Sequence, residues 1–188
     1  MGRLVYSMIT SLDGYVADRN GRFEWAQPDE EVLAVINEQA AEAGTYLYGR
    51  RMYEMMHVWE TDPSVAAQSP ESAEFARIWR AADKIVYSTT LDEVSTRRTR
   101  LERSFDPQAV RELKENSPAD LTVDGPTLAA HALRHGLVDQ VRPLVCPISI
   151  GGGLKFLPEF RIGLRLRGEH AFSVGLVQLH YDVTGVDS

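Results

Sequence analysis

Apolar positions along the chain switch between two spacings. Short runs rich in β-branched and aromatic residues, at Leu4–Ile9, Thr45–Tyr48, Ile85–Tyr87 and Leu121–Val123, are strand-sized. Between them apolar residues recur three and four apart. Val32, Ile36, Ala40 and Ala43 follow the acidic start Pro28-Asp29-Glu30-Glu31, and Phe75, Ile78, Trp79 and Ala82 follow Ser69-Pro70, a cap with a first-turn proline. Asp106-Pro107 leads in the same way to Val110 and Leu113. Asp124-Gly125-Pro126 leads to Leu128, Ala132 and Leu133, and the pattern stops at Gly136. Val138–Ile150 reads as one long strand bent at Pro143 and Pro147. Leu164–Phe172 and Val174–Val183 read as a closing hairpin around Gly175. The basic run Arg97-Arg98-Thr99-Arg100 reads as a solvated loop, and Gly151-Gly152-Gly153 as a flexible turn. Strand–helix alternation closed by an antiparallel pair predicts an α/β fold, with helices on both faces of a sheet, in a single domain over residues 1–188.

Composition narrows the function classes. The 188 residues are 44 % hydrophobic and 25 % charged, an ordinary globular balance. Lys+Arg 20 against Asp+Glu 27 gives a formal net charge of -7, which argues against nucleic acid or an anionic membrane as partner. The single cysteine, Cys146, excludes an internal disulfide framework and Cys-rich metal sites. No apolar run reaches the roughly 20 residues of a membrane span, and no signal-peptide pattern opens the chain, so a cytoplasmic location is expected.

Ligands of open α/β sheets bind where strands end and helices begin. Three such junctions stand out. At Tyr48-Gly49-Arg50-Arg51 a glycine precedes a helix start with two guanidiniums, a phosphate grip or a plain turn. Tyr87-Ser88-Thr89-Thr90 sets hydroxyls directly after a buried strand, to hold phosphate or to cap. Val123-Asp124-Gly125-Pro126-Thr127-Leu128 runs strand into helix through a glycine, without the G-x-G-x-x-G fingerprint. His131 and His135 have ligand spacing but no third partner, so no metal site is expected. Two carboxylates draw attention. Asp13 directly follows the first strand, and Glu30 opens a helix; a turn and a dipole contact are their plain alternatives.

In order and spacing these segments resemble the dihydrofolate reductase superfamily. The nearer branch is the C-terminal reductase domain of the bifunctional riboflavin-biosynthesis deaminase/reductase and its stand-alone bacterial relatives. The resemblance rests on Ser11-Leu12-Asp13-Gly14-Tyr15-Val16-Ala17, Tyr48-Gly49-Arg50-Arg51-Met52-Tyr53-Glu54, and Val123-Asp124-Gly125-Pro126-Thr127-Leu128-Ala129. It continues through Gly136-Leu137-Val138-Asp139, Pro147 to Gly153, and Gly175 to Tyr181. It implies a dihydrofolate reductase-like three-layer fold, with a mostly parallel central sheet and a C-terminal antiparallel hairpin.

It further implies NADPH as cofactor, with a deazaflavin as the alternative. Gly49, Arg50 and Arg51 would receive its phosphates, and Ser88 and Thr89 the adenosine 2′-phosphate. Gly125, Pro126, Thr127 and Leu128 would underlie the pyrophosphate and nicotinamide, with Val16 and Ala17 edging the nicotinamide pocket. Trp25-Ala26-Gln27-Pro28-Asp29-Glu30 is similar to the stretch ahead of the substrate-binding carboxylate of dihydrofolate reductases, while Asp13 matches the riboflavin branch's aspartate facing the sugar. Departures from the family pattern are Asp124 at a position often glycine, Met52 for threonine, Gln140 for Glu, and Pro143 within a strand.

The reaction implied is hydride transfer to a C=N or C=O of a small heterocyclic or sugar-phosphate substrate, as in a 5-amino-6-(5-phosphoribosylamino)uracil reductase. The proton would come from Asp13 for sugar-like substrates or Glu30 for pterin-like ones. The alternatives are a pterin-type reductase, a deazaflavin-dependent reductase, or a non-catalytic nucleotide-binding protein on the same fold. A homodimer through the terminal hairpin or the Pro-bent strand is expected from the resemblance.

Overall fold

The computed structural model describes residues 1–186. Its strands are β1 (Leu4–Ser11), β2 (Tyr15–Ala17), β3 (Ala43–Gly49), β4 (Asp83–Tyr87), β5 (Thr99–Glu102), β6 (Asp120–Asp124), β7 (Gln140–Cys146), β8 (Leu154–Lys155), β9 (Ile162–Ala171) and β10 (Val177–Val186). The helices are α1 (Glu30–Glu42), α2 (Arg50–Met56), α3 (Val58–Thr61), α4 (Pro63–Ala66), α5 (Pro70–Ala81), α6 (Pro107–Asn116) and α7 (Pro126–Arg134). Eight strands form one sheet in the order β5-β4-β3-β6-β1-β7-β10-β9, and β2 pairs with β8 apart from it. Every pair from β5 through β7 is parallel; β10 runs antiparallel to both β7 and β9. This is the three-layer, mostly parallel arrangement the family resemblance implies, with the terminal antiparallel pair in place.

The alternation of side chains along β3 shows how the layers are built. Leu47 joins Tyr6, Val123, Leu128, Ala132 and Leu133 in the cluster under α7. Tyr46 and Tyr48 point the other way, into a cluster with Phe75, Ile78 and Trp79 of α5. Trp79 is 0 % exposed, and its indole Nε1 donates to the Tyr48 hydroxyl at 2.9 Å, so the buried ring leaves no unsatisfied donor. The helix starts follow their caps. Ser69 Oγ accepts from Ser72 N at 3.0 Å with Pro70 in the first turn, and the Asp29 and Asp106 carboxylates accept from Val32 N and Gln108 N, each at 2.9 Å.

Three expectations are corrected. The strand expected over Val138–Ile150 is shorter, Gln140–Cys146, and Pro143 lies inside it between two neighbours. β7 pairs with β10 at Val145, Leu144, Val141 and Gln140, leaving the levels of Arg142 and Pro143 unpaired, and β10 has an irregularity at His180/Tyr181. The proline's missing donor falls in that gap. The basic run is not wholly loop: Thr99 and Arg100 begin β5, a parallel edge strand whose register pairs Leu101 with Val86. In the glycine triplet, Gly152 and Gly153 are closely packed against residues 17–19. All three residues have positive φ, and a Cβ on Gly153 would lie 2.0 Å from the Ala17 carbonyl oxygen.

Candidate active site

The C-terminal ends of β3, β4 and β6 open onto one cleft of about 1970 Å³. Pockets for a single small ligand usually run to about 300–1,000 Å³, so this space has room for a dinucleotide and a second molecule. All the residues assigned to a cofactor from sequence line it: Val16, Ala17, Gly49, Arg50, Arg51, Ser88, Thr89, Gly125, Pro126, Thr127 and Leu128. Asp13 and Glu30 do not.

The outer half of the cleft is rich in hydrogen-bond donors. Arg50 Nη1 donates to Thr90 Oγ1 at 2.9 Å and Nε to Glu54 at 2.7 Å. Arg51, one residue on, is exposed, and among the described residues its side chain has no hydrogen bond or ion pair. Ser88 Oγ accepts from Thr90 N at 3.2 Å and Leu91 N at 3.0 Å, the capping use of that hydroxyl, and its own proton stays available. Arg103 fixes the same loop by donating to the carbonyls of Ser88, Leu91 and Asp92. Gly125 holds φ +98, a conformation that favours glycine, at the start of α7, whose N-terminus has no side-chain cap. Guanidiniums, hydroxyl protons and uncapped backbone around one mouth fit a phosphate-bearing ligand.

The inner half lies under α1, which presents Ile36, Gln39 and Ala40 to it. Its opposite wall includes Ser7, Tyr46, Tyr48, Thr122, Asp124 and Arg142. Asp124, the last residue of β6, accepts from Thr122 Oγ1 at 2.7 Å. Burial pushes its carboxyl up to about 7, against the smaller opposing pull of the Thr122 hydrogen bond. An acid that holds a proton near neutrality, beside the Gly125 turn, is equipped to give one up. Sequence reasoning registered Asp124 only as a departure from a family glycine. The available signal was alternation: with Leu121 and Val123 in the α7-side core, Thr122 and Asp124 must face the other way.

Asp13 is engaged elsewhere. Its carboxylate accepts from Ser149 Oγ at 2.9 Å, Ile150 N at 3.1 Å and Gly151 N at 2.7 Å. Hydrogen bonds, that of Ser11 foremost, hold it well below the usual carboxylate range, so it ties the β1–β2 turn to the loop after β7 as an anion. Glu30 is exposed on the first turn of α1. The next residue, Glu31, accepts from Ser173 N and Oγ, and Val32 is buried against Leu144, Phe172 and Leu176.

The family model for the RibD C-terminal domain matches residues 3–177. The chain belongs to that family. The RibD C-terminal domain family is a family of reductases. It is 25 % identical to the "Uncharacterized protein YyaP" of Bacillus subtilis (strain 168), over 97 % of this chain and 96 % of that protein. Among solved structures it is similar to a putative riboflavin biosynthesis protein from Shewanella sp. PV-4, at TM-score 0.76 and 20 % identity, covering 97 % of this chain and 99 % of that one. It is also similar in fold to dihydrofolate reductase from Enterococcus faecalis complexed with NADP(H) and RAB-propyl. There the TM-score is 0.64 at 12 % identity, with 98 % of each chain covered. Among the described residues no helix is long and apolar enough to cross a membrane, and no cluster of side chains could hold a metal ion.

Proposed function

We propose that the protein is an NADPH-dependent reductase of a small heterocyclic or sugar-phosphate substrate, with Asp124 as its proton donor. The observation that carries this reading is the meeting, in one cleft, of a donor-rich mouth and a protonatable carboxyl on either side of the Gly125 turn. NADPH, when bound, supplies the hydride. The chain's own residues bind, orient and protonate. Arg50 and Arg51 grip phosphate oxygens, and the Ser88 and Thr89 hydroxyls favour an added 2′-phosphate, hence NADPH over NADH. Gly125 to Leu128 give backbone access beneath the pyrophosphate and nicotinamide, and Val16 and Ala17, both 7 % exposed, exclude water along one edge. The Asp124 carboxyl gives its proton to the substrate atom that gains negative charge and recovers it from solvent through the cleft. This role replaces those given to Asp13, which is bound up in a turn, and Glu30, which faces solvent. A homodimer is part of the proposal; β9, in the terminal hairpin and one of the two edge strands of the sheet, offers a free edge for it.

The test is NADPH oxidation against a panel of ribosylaminopyrimidines, pterins and cyclic imines, run with wild type and Asp124→Asn. Turnover by wild type, lowered about 10²–10⁴-fold in the variant, supports the assignment. Equal turnover in both removes Asp124 from the reaction. Absence of turnover together with absence of NADPH binding leaves the non-catalytic reading.

A further inference from the structure

We infer that the inner end of the cleft is an anion subsite in which Arg142 receives a carboxylate or phosphate of the substrate, about 10 Å from Asp124. This rests on the reading of the cleft as a reductase site. The distance comes from strand register. Tyr48 pairs with Asp124, and Ser7 pairs with Arg142. The β1–β6 register, Leu4 with Leu121 and Val5 with Thr122, continues to put Ser7 level with Asp124. Asp124, Ser7 and Arg142 thus stand in a row on neighbouring strands β6, β1 and β7, all on the wall facing α1. Two inter-strand spacings of about 4.8 Å separate the outer pair. A small substrate lying across Ser7 spans that gap, with its reducible bond at Asp124 and its charged end at Arg142.

Arg142 is built to bind rather than only to brace. It is 7 % exposed, and it lines the cleft. Gln140 Oε1, a neutral acceptor, takes Nε at 3.1 Å and Nη2 at 2.7 Å and so fixes the plane of the guanidinium. The remaining edge meets Glu42 at 3.7 Å from Nη1, too long for a normal hydrogen bond, and the Glu42 side chain is 56 % exposed. Arg3 and Asp120 nearby satisfy each other. A buried guanidinium with a fixed plane, free N–H groups and only a loose rim counter-ion matches the two-pronged geometry of a carboxylate or phosphate. Glu42 stands in for that anion and can swing to solvent when it arrives.

The experiment measures ribose 5-phosphate, ribose and succinate binding by calorimetry, with NADP⁺ present to occupy the outer half, for wild type, Arg142→Met and Glu42→Gln. The proposal predicts that ribose 5-phosphate or succinate binds and ribose does not, the tighter of the two naming phosphate or carboxylate. It predicts a loss of about tenfold or more in Arg142→Met and a gain of several-fold in Glu42→Gln, which removes the competing anion. A purely structural Arg142 gives no gain in Glu42→Gln, and that result overturns the proposal even if Arg142→Met fails to fold. NADP⁺ binding is followed separately. Its absence with anion binding intact removes the reductase reading and keeps the subsite, whereas intact NADP⁺ binding without anion binding does the reverse.

Discussion

Replacing Asp124 by Asn should move activity and stability in opposite directions. The carboxyl ionises near 3.8 in an unfolded chain and is pushed up to about 7 in the fold. Its contribution is therefore complete below about pH 4, is lost as pH rises toward 7, and changes no further above. A difference of about three pKa units corresponds to at most about 4 kcal/mol, or roughly 8–16 °C of melting temperature at this chain length. Water entering the cleft screens part of this, so a shift of several degrees is expected. Asparagine keeps the shape and can still accept from Thr122, but it never ionises. Melting curves of the two proteins from pH 4 to pH 8 should converge at the acid end and separate toward neutrality, with the variant the more stable. Reductase activity should show the complement: wild-type kcat/KM falls about tenfold per pH unit above 7, because the protonated form acts. Parallel melting profiles across the whole range would refute the argument that the fold holds the half-buried Asp124 protonated.

Other expectations follow from the same geometry. Arg51→Ala should weaken NADPH binding about tenfold by titration with no loss of melting temperature, because the Arg51 side chain has no partner among the described residues. Asp13→Asn should lower the melting temperature by loosening the link to residues 149–151, yet reduce turnover less than about tenfold, far less than Asp124→Asn. Gly153→Ala should cost more than about 3 kcal/mol in urea unfolding, since its Cβ would meet the Ala17 carbonyl at 2.0 Å. Gly125→Ala, with 3.7 Å to Met52 Cβ, has the space but not the backbone freedom, and should cost about 1–3 kcal/mol while weakening NADPH binding.

Local chemistry made much of the fold legible. Ser69-Pro70 and Asp106-Pro107 mark helix starts because a side-chain oxygen and a fixed φ act within one turn. The strand–glycine–helix junctions at Gly49 and Gly125 marked the cleft for the same reason. β5 was missed because an edge strand with polar Thr99, Arg100 and Glu102 has no apolar run to betray it. Helical phase turns Glu30 away from the cleft. Ile36, Gln39 and Ala40 face the cleft, and at 100° per residue Glu30 lies about 120° around from Ile36. The burial that raises the Asp124 carboxyl comes from the assembled fold, with Tyr48 of β3 beside it in register, which no local window contains.

Binding of NADPH tests the account most directly. Thermal melting with NADPH, NADH and a reduced deazaflavin in parallel should show a rise of about 5–10 °C with NADPH at about 100 times its Kd, a much smaller one with NADH, and none with deazaflavin. A rise with deazaflavin alone would keep a reductase but contradict the cofactor assignment, and no rise with any of the three would contradict the reading of this cleft as a reductase site.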